Sequence, residues 1–249
     1  MAVHVSIRDG LAEVRLERGK VNALNEGLVD ELSRSFRELA GDPGVRGSIL
    51  TGTGKFFSFG FDIPEFMNAS KEAFAHYVDR FTALYRELFA HPKPIVAALN
   101  GHAVAGGCML ATACDARIMV DGGAKIGLNE IGFGSSLFAG SLAILRFWVG
   151  EHRSQKIAYG GALYTAEEAV ALGLVDATVA PAELDGAARR RLVELAARPA
   201  PAFASIKGLL RRQVLDEIDR TEADSVREFV DIWYSAETRR ELEKIKIRA

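Results

Sequence analysis

The stretch that most constrains this chain is Pro94 to Ala111, PIVAALNGHAVAGGCMLA. Ile95 to Leu99 reads as a short buried strand, Asn100-Gly101 breaks it, and Ala105-Gly106-Gly107 stands before an apolar, helix-compatible segment. A strand, a turn and a helix start therefore follow one another. The first N–H groups of a helix have no intrahelical partner, and paired glycines let atoms of another molecule approach them closely. The same glycines also serve simply to pack a helix tightly, and this stretch alone leaves both readings open.

A second segment has the same character. Thr51-Gly-Thr-Gly-Lys55 is a Gly-rich turn without the length or the terminal Lys-Ser/Thr of a P-loop. It leads into Phe56-Phe-Ser-Phe-Gly-Phe-Asp-Ile-Pro64, where Gly60 interrupts an aromatic run, Asp62 is placed to cap a helix and Pro64 fits its first turn. Two helix starts, near 60 and 106, can each offer one N–H to a single oxygen, an arrangement that stabilises an enolate or tetrahedral oxyanion.

The remaining pattern is α/β. His4–Ile7 and Ala12–Leu16 alternate as strands about an Asp9-Gly10 hairpin turn. Asn25 caps a helix whose apolar face is Leu28, Leu32, Phe36 and Leu39, ended by Gly41. Strands are expected at Val45–Leu50, Ala116–Val120, the start of Ala124–Gly134, and Val175–Val179, with a long helix over residues 70–90. Helices follow at 138–148 and 151–159, and Thr165-Ala-Glu-Glu168 forms a capping box. Beyond Pro181 the chain reads as helices broken near Pro199-Ala-Pro201 and Asp219, with a new helix starting at Thr221 and carrying a Val226, Phe229, Val230, Trp233 stripe. We divide it into a core over 1–198 and a helical region over 199–249.

Composition narrows the function. With 249 residues, 49% hydrophobic and 26% charged, the chain has the makeup of an ordinary globular protein able to bury a sizeable core. A net charge of −2 and the lack of a basic-aromatic stripe give no reason to expect nucleic acid as a partner. No apolar run reaches spanning length and no leader pattern opens the chain, so a cytoplasmic location without membrane partners is the expectation. Cys108 and Cys114 lack metal-ligand spacing and read as core residues, and no metal is expected. Asp115 reads as structural, His102 as hydrogen-bonded support beside the turn, and Arg189–Arg191 and Arg211-Arg212 as solvated faces.

Phe57-Ser-Phe-Gly-Phe-Asp-Ile63 resembles the F-S/A-A-G-x-D-hydrophobic signature of the crotonase superfamily, the enoyl-CoA hydratase/isomerase family. Asn100-Gly-His-Ala-Val-Ala-Gly-Gly-Cys108 is similar to its N-G-x-A-x-G/A-G-G-C motif. The likeness extends to Val21-Asn-Ala-Leu24, Cys114-Asp115, Thr165–Val175 and the helical C-terminus. It implies a spiral of ββα units with a helical C-terminal region that assembles trimers, often paired as hexamers. The Val226–Trp233 stripe suits that assembly or its own core.

The resemblance also implies roles. The N–H groups of Phe61 and Gly106 form an oxyanion hole for a coenzyme A thioester, which is the substrate, with no further cofactor. Val21, Ala23, Ser58, Phe59, Gly60, Asp62, Ile63 and Met109 fall at substrate- or CoA-binding positions, and Lys207 or a basic residue near the C-terminus is a candidate for the CoA phosphates. Typical hydratases carry two glutamates. Here Met109 stands at the first position and Glu130, in Gly127-Leu-Asn-Glu130, at the second. One carboxylate without a second proton carrier resembles the mitochondrial-type Δ3,Δ2-enoyl-CoA isomerases, which move a double bond by proton transfer; the alternatives are a hydratase or another lyase or hydrolase of the family and, outside enzymes, an acyl-CoA-binding or scaffold protein without turnover. Apolar neighbours Ile126, Leu128, Ile131 and Phe133 are expected to raise the Glu130 pKa. Phe59 replaces a usual alanine and no proline follows Glu130, so the acyl pocket is expected to be reshaped.

Overall fold

The Asp9-Gly10 turn, with φ of 55° and 71°, folds β1 (Val3–Arg8) back on β2 (Leu11–Leu16) as an antiparallel hairpin, in the left-handed conformation such short hairpin turns require. The Asn25 side chain accepts the Leu28 N–H at 3.1 Å and starts α1 (Glu26–Gly41), which buries Leu28, Leu32, Phe36 and Leu39. These coordinates are a computed structural model describing residues 2–245.

From there one unit repeats three times: a strand in a large sheet, a strand in a small sheet, then helix. The first unit is β3 (Gly47–Thr51), β4 (Phe56–Ser58), α2 (Ile63–Phe66) and α3 (Lys71–Ala90). The second is β5 (Ile95–Leu99), β6 (His102–Val104) and α4 (Gly106–Ala113). The third is β7 (Ala116–Val120), β8 (Lys125–Gly127), a 3₁₀ turn over Glu130–Phe133, and α5 (Ala139–Val149). The chain continues through α6 (Glu151–Gly160), β9 (Tyr164–Thr165), α7 (Ala166–Leu172), β10 (Ala177–Val179), α8 (Leu184–Ala196), α9 (Ala200–Trp233) and α10 (Ala236–Leu242). The large sheet has the order β1-β2-β3-β5-β7-β10 and is parallel from β2 onward; the small sheet has the order β4-β6-β8-β9. This is the ββα spiral that the resemblance implied. The strands β3, β5 and β7 are buried throughout, so none alternates apolar with exposed polar residues; β5 is apolar end to end, while β3 and β7 bury Ser48, Thr51 and Arg117.

The step between sheets is tight. A β-carbon on Gly101 would lie 2.1 Å from the Lys55 carbonyl oxygen, so only glycine lets β6 leave β5 and pair beside β4.

Two expectations about the C-terminal half are corrected. No break occurs at Asp219 and no helix begins at Thr221: α9 runs unbroken from Ala200 to Trp233. Asp219 lies on its outer face, held by Arg86 of α3 at 2.5 and 2.6 Å, and the Thr221 hydroxyl donates back to the Glu217 carbonyl at 2.8 Å. Polar residues there satisfy themselves without leaving the helix, and no proline or glycine lies between Leu209 and Trp233. The stripe Val226, Phe229, Val230 and Trp233 is buried in the chain's own core, with Trp233 stacked 4.7 Å from Phe74 of α3.

The second correction concerns Arg211, which is not solvated but 4% exposed. It lies over Phe89 at 4.1 Å and pairs with Asp115 at 2.9 Å, while Lys207 meets the other oxygen of Asp115 at 2.8 Å. Asp115 also accepts the Ile95 N–H at 2.7 Å. It is thus the structural carboxylate expected, and it ties α9 to the start of β5. Lys207 is spent in this cluster and is not available to a phosphate; burial pulls its pKa down to about 8. The basic residues at 246 and 248 lie outside the described residues, as does the end of the helical region assigned to 199–249.

Candidate active site

The parallel strands β4, β6 and β8 end side by side, and each is followed within three residues by one of the residues singled out above: Phe61 after Ser58, Gly106 after Val104, Glu130 after Gly127. Carboxyl ends of adjacent parallel strands are where α/β sheets commonly gather ligands.

The backbone at Phe61 is set by a parallel bridge to Leu24. Leu24 donates its N–H to the Gly60 carbonyl at 2.7 Å, and its own carbonyl accepts from Asp62 at 2.9 Å. In that pattern the Phe61 N–H points away from Leu24, and it has no protein acceptor among the described residues. Asp62 then caps α2 through the Glu65 N–H and pairs with Arg18 at 2.7 Å, so it serves as the helix cap expected.

Gly106 opens α4 behind an unusual cap. Ala105 has φ 51° and ψ −120°, a conformation a non-glycine residue adopts at a cost of about 1–3 kcal/mol. Its N–H is anchored on the Gly127 carbonyl at 2.9 Å. The Gly106 N–H likewise lacks a protein acceptor among the described residues. The two turns meet, for a β-carbon on Gly60 would lie 3.1 Å from the Gly106 nitrogen. Gly107 is equally constrained, since a β-carbon there would strike the Ser58 carbonyl oxygen at 2.3 Å.

Glu130 begins the 3₁₀ turn and is 5% exposed, with Oε2 unpaired. Burial pushes its carboxyl up to about 8, opposed only by a bond from its own N–H. The expected raised pKa is therefore present. Of the apolar neighbours named for it, Ile126 and Leu128 are buried and Phe133 lines a cavity with Glu130, whereas Ile131 is 51% exposed. That cavity, about 460 Å³ with its open mouth, is also lined by Phe61, Gly106 and Met109. Among the described residues Glu130 is the one titratable side chain in that lining.

Of the other positions picked from the sequence, Phe59 and Ile63 also line this cavity. Ser58, Gly60, Val21 and Ala23 are not among the residues that line it. The Ser58 hydroxyl donates to the Asn22 carbonyl at 2.8 Å, the Val21 carbonyl accepts the Phe59 N–H at 3.0 Å, and the Ala23 carbonyl accepts from Arg18 at 3.0 Å. His102 accepts the Lys125 N–H at 3.2 Å and packs on Phe56 at 4.9 Å, a supporting position. Cys108 and Cys114 are fully buried with thiol pKa values pushed up, that of Cys114 to about 12, which leaves them inert.

The sequence reading missed Asn129, Phe133, Phe138, Phe229 and Trp233 as cavity-lining residues. The last two stand four apart on one helix face and were legible as apolar, but nothing local says which wall a distant helix covers.

The sequence profile of the enoyl-CoA hydratase/isomerase family matches residues 6–244. The chain is 35% identical over 176 residues to crotonyl-CoA hydratase of Syntrophomonas wolfei, covering 70% of this chain and 67% of that protein. It is 30% identical over 226 residues to mitochondrial enoyl-CoA delta isomerase 1 of Mus musculus, covering 86% and 75%. The crystal structure of human mitochondrial Δ3-Δ2-enoyl-CoA isomerase superimposes with a TM-score of 0.94 at 27% identity, covering 98% of this chain and 96% of that one.

Proposed function

The chain belongs to the enoyl-CoA hydratase/isomerase family, and we propose that within it the protein isomerises a 3-enoyl-CoA to the 2-enoyl-CoA. The observation that supports this reading is that Glu130 is the one titratable side chain lining the cavity among the described residues, with Met109 beside it. Adding water across a double bond calls for two proton-handling groups, whereas shifting a double bond needs a single group that takes a proton and gives it back.

The Glu130 carboxylate takes a proton from C2 of the bound thioester. The electron pair left behind delocalises into the conjugated dienolate, placing negative charge on the thioester oxygen. The N–H groups of Phe61 and Gly106, both without protein acceptors among the described residues, hold that oxygen, and losing one such donor typically costs about 2.7–4 kcal/mol in the transition state. Protonated Glu130 then delivers the proton to C4, the double bond settles between C2 and C3, and the carboxylate is regenerated. Electrons and protons balance within substrate and Glu130, so no cofactor takes part.

A hydratase is the second reading, favoured by the 35% identity to a crotonyl-CoA hydratase. A spectrophotometric assay with 3-enoyl-CoA and, separately, 2-enoyl-CoA decides between them. We expect isomerisation, reduced about 10²–10⁴-fold by Glu130→Gln, and no comparable hydration. Efficient hydration of the 2-enoyl thioester would instead assign the second reading.

We also propose assembly into trimers or hexamers through the first half of α9, where Ile206, Leu209 and Leu210 are 59–66% exposed. An apolar strip of this kind marks an interaction surface. Sedimentation should give a trimer or hexamer for the wild type and a smaller species for Leu209→Glu/Leu210→Glu; a wild-type monomer would contradict this.

A further inference from the structure

Four of the rings that line the cavity belong to the core. Phe61, Phe138, Phe229 and Trp233 all line it. The Phe61 ring centroid lies 6.4 Å from each of the other three, Phe138 and Phe229 are 4.4 Å apart, and Phe229 and Trp233 are 5.8 Å apart. None is more than 8% exposed. Each ring is therefore packed against the next, and none stands alone as a gate.

The elements carrying these rings are also fixed to one another. The Phe138 carbonyl accepts the Leu142 N–H at 3.1 Å and the Ser141 hydroxyl at 2.8 Å. Just beyond it, the Gly140 N–H donates to Glu222 at 2.5 Å and the Ala139 N–H to the Ser225 hydroxyl at 3.0 Å. Glu222 and Ser225 lie on α9, two turns and one turn before Phe229, and Glu222 also holds the Tyr85 hydroxyl of α3. The start of α5 and the inner face of α9 thus move together or not at all. Close-packed interiors yield to extra volume only by displacing rings from their rotamers.

We propose that these four rings are an end wall limiting the acyl group to a short chain, about four to six carbons, with Phe229 as the residue that sets the limit. With the open mouth set aside, the space the rings leave is only about 40 Å³, room for about three waters at roughly 10–15 Å³ each. It must hold the reacting carbons before any tail. This inference rests on the reading of the site as one for acyl-CoA thioesters, and it does not depend on which reaction Glu130 performs.

The test uses unreactive saturated thioesters, butanoyl-, hexanoyl-, octanoyl- and dodecanoyl-CoA, titrated calorimetrically into the wild type, Phe229→Leu and Phe229→Ala. Affinity should rise about fourfold per methylene to hexanoyl and then fall at least tenfold by dodecanoyl. Phe229→Ala should move the optimum to a longer chain and Phe229→Leu less far, with folding checked by circular dichroism. Should Phe229→Ala fail to fold, the wild-type ladder and Phe229→Leu carry the test. Wild-type affinity that keeps climbing through dodecanoyl, or the same optimum in the folded variants, would overturn the end wall while leaving the Glu130 reading untouched. Absence of binding by all four thioesters would overturn the acyl-CoA reading and the end wall with it. A ladder that peaks at hexanoyl beside full turnover by Glu130→Gln would keep the wall and overturn the role of Glu130.

Discussion

Gly60 and Gly106 abut: a β-carbon on Gly60 would lie 3.1 Å from the Gly106 nitrogen and 3.0 Å from the Val104 carbonyl oxygen. Gly60 also has φ 96°, where an L side chain is strained whatever the space. Gly60→Ala therefore both crowds the second turn and strains the first. We expect kcat/KM to fall about 10²-fold or more, with stability reduced by about 1–3 kcal/mol. Turnover measured beside a urea melt separates the two effects, and an unimpaired variant would show that the turns do not act together.

The pH dependence of catalysis should follow Glu130. The base must be ionised, and burial pushes its carboxyl up to about 8. kcat/KM, which reports the free enzyme, should fall about tenfold for each pH unit below that value. A profile flat from pH 6 to 9 would mean that another group carries the proton.

The same group links pH to stability with the opposite sign. Its folded pKa is about 8 against 4.5 for the ordinary carboxyl, so between these values the native state binds the proton and the unfolded chain does not. Stability from this position is present at low pH and is lost as pH rises through that window. Glu130→Gln has no charge to desolvate. It should gain on the wild type by a few kcal/mol, on the order of the linkage energy, between pH 5 and pH 9. Urea melts at both values measure this, and an equal difference at the two would contradict it.

How much of this was legible in the chain follows from the range of each signal. The turns at Gly60 and Gly106 and the caps at Asn25, Asp62 and Thr165 depend on a few neighbouring residues. They could be read directly. Of the small sheet only β8 was legible, at the start of Ala124–Gly134; β4 and β6 are three residues each, too short for periodicity to register. Nor was the wall made by Phe138 and Phe229 legible, for they come together from positions 91 residues apart. At Asp219 a polar cluster looked like a helix break, but the partner that satisfies it, Arg86, lies 133 residues away.

Asp115 supplies a test remote from the cavity. It is buried between Lys207 and Arg211, and Asp115→Ala would leave both cations without their carboxylate. Removing one member of a buried pair typically costs about 3–5 kcal/mol. A urea midpoint that does not move would show that water or a backbone group compensates.

The central claim is that one carboxyl group both removes and returns the proton. A 3-enoyl-CoA deuterated at C2, converted in ordinary water, tests this directly. The account predicts product carrying deuterium at C4, because Glu130 is shielded from solvent between the two transfers, and loss of that product in Glu130→Gln. Product whose C4 holds only solvent hydrogen, formed equally fast by Glu130→Gln, would contradict it.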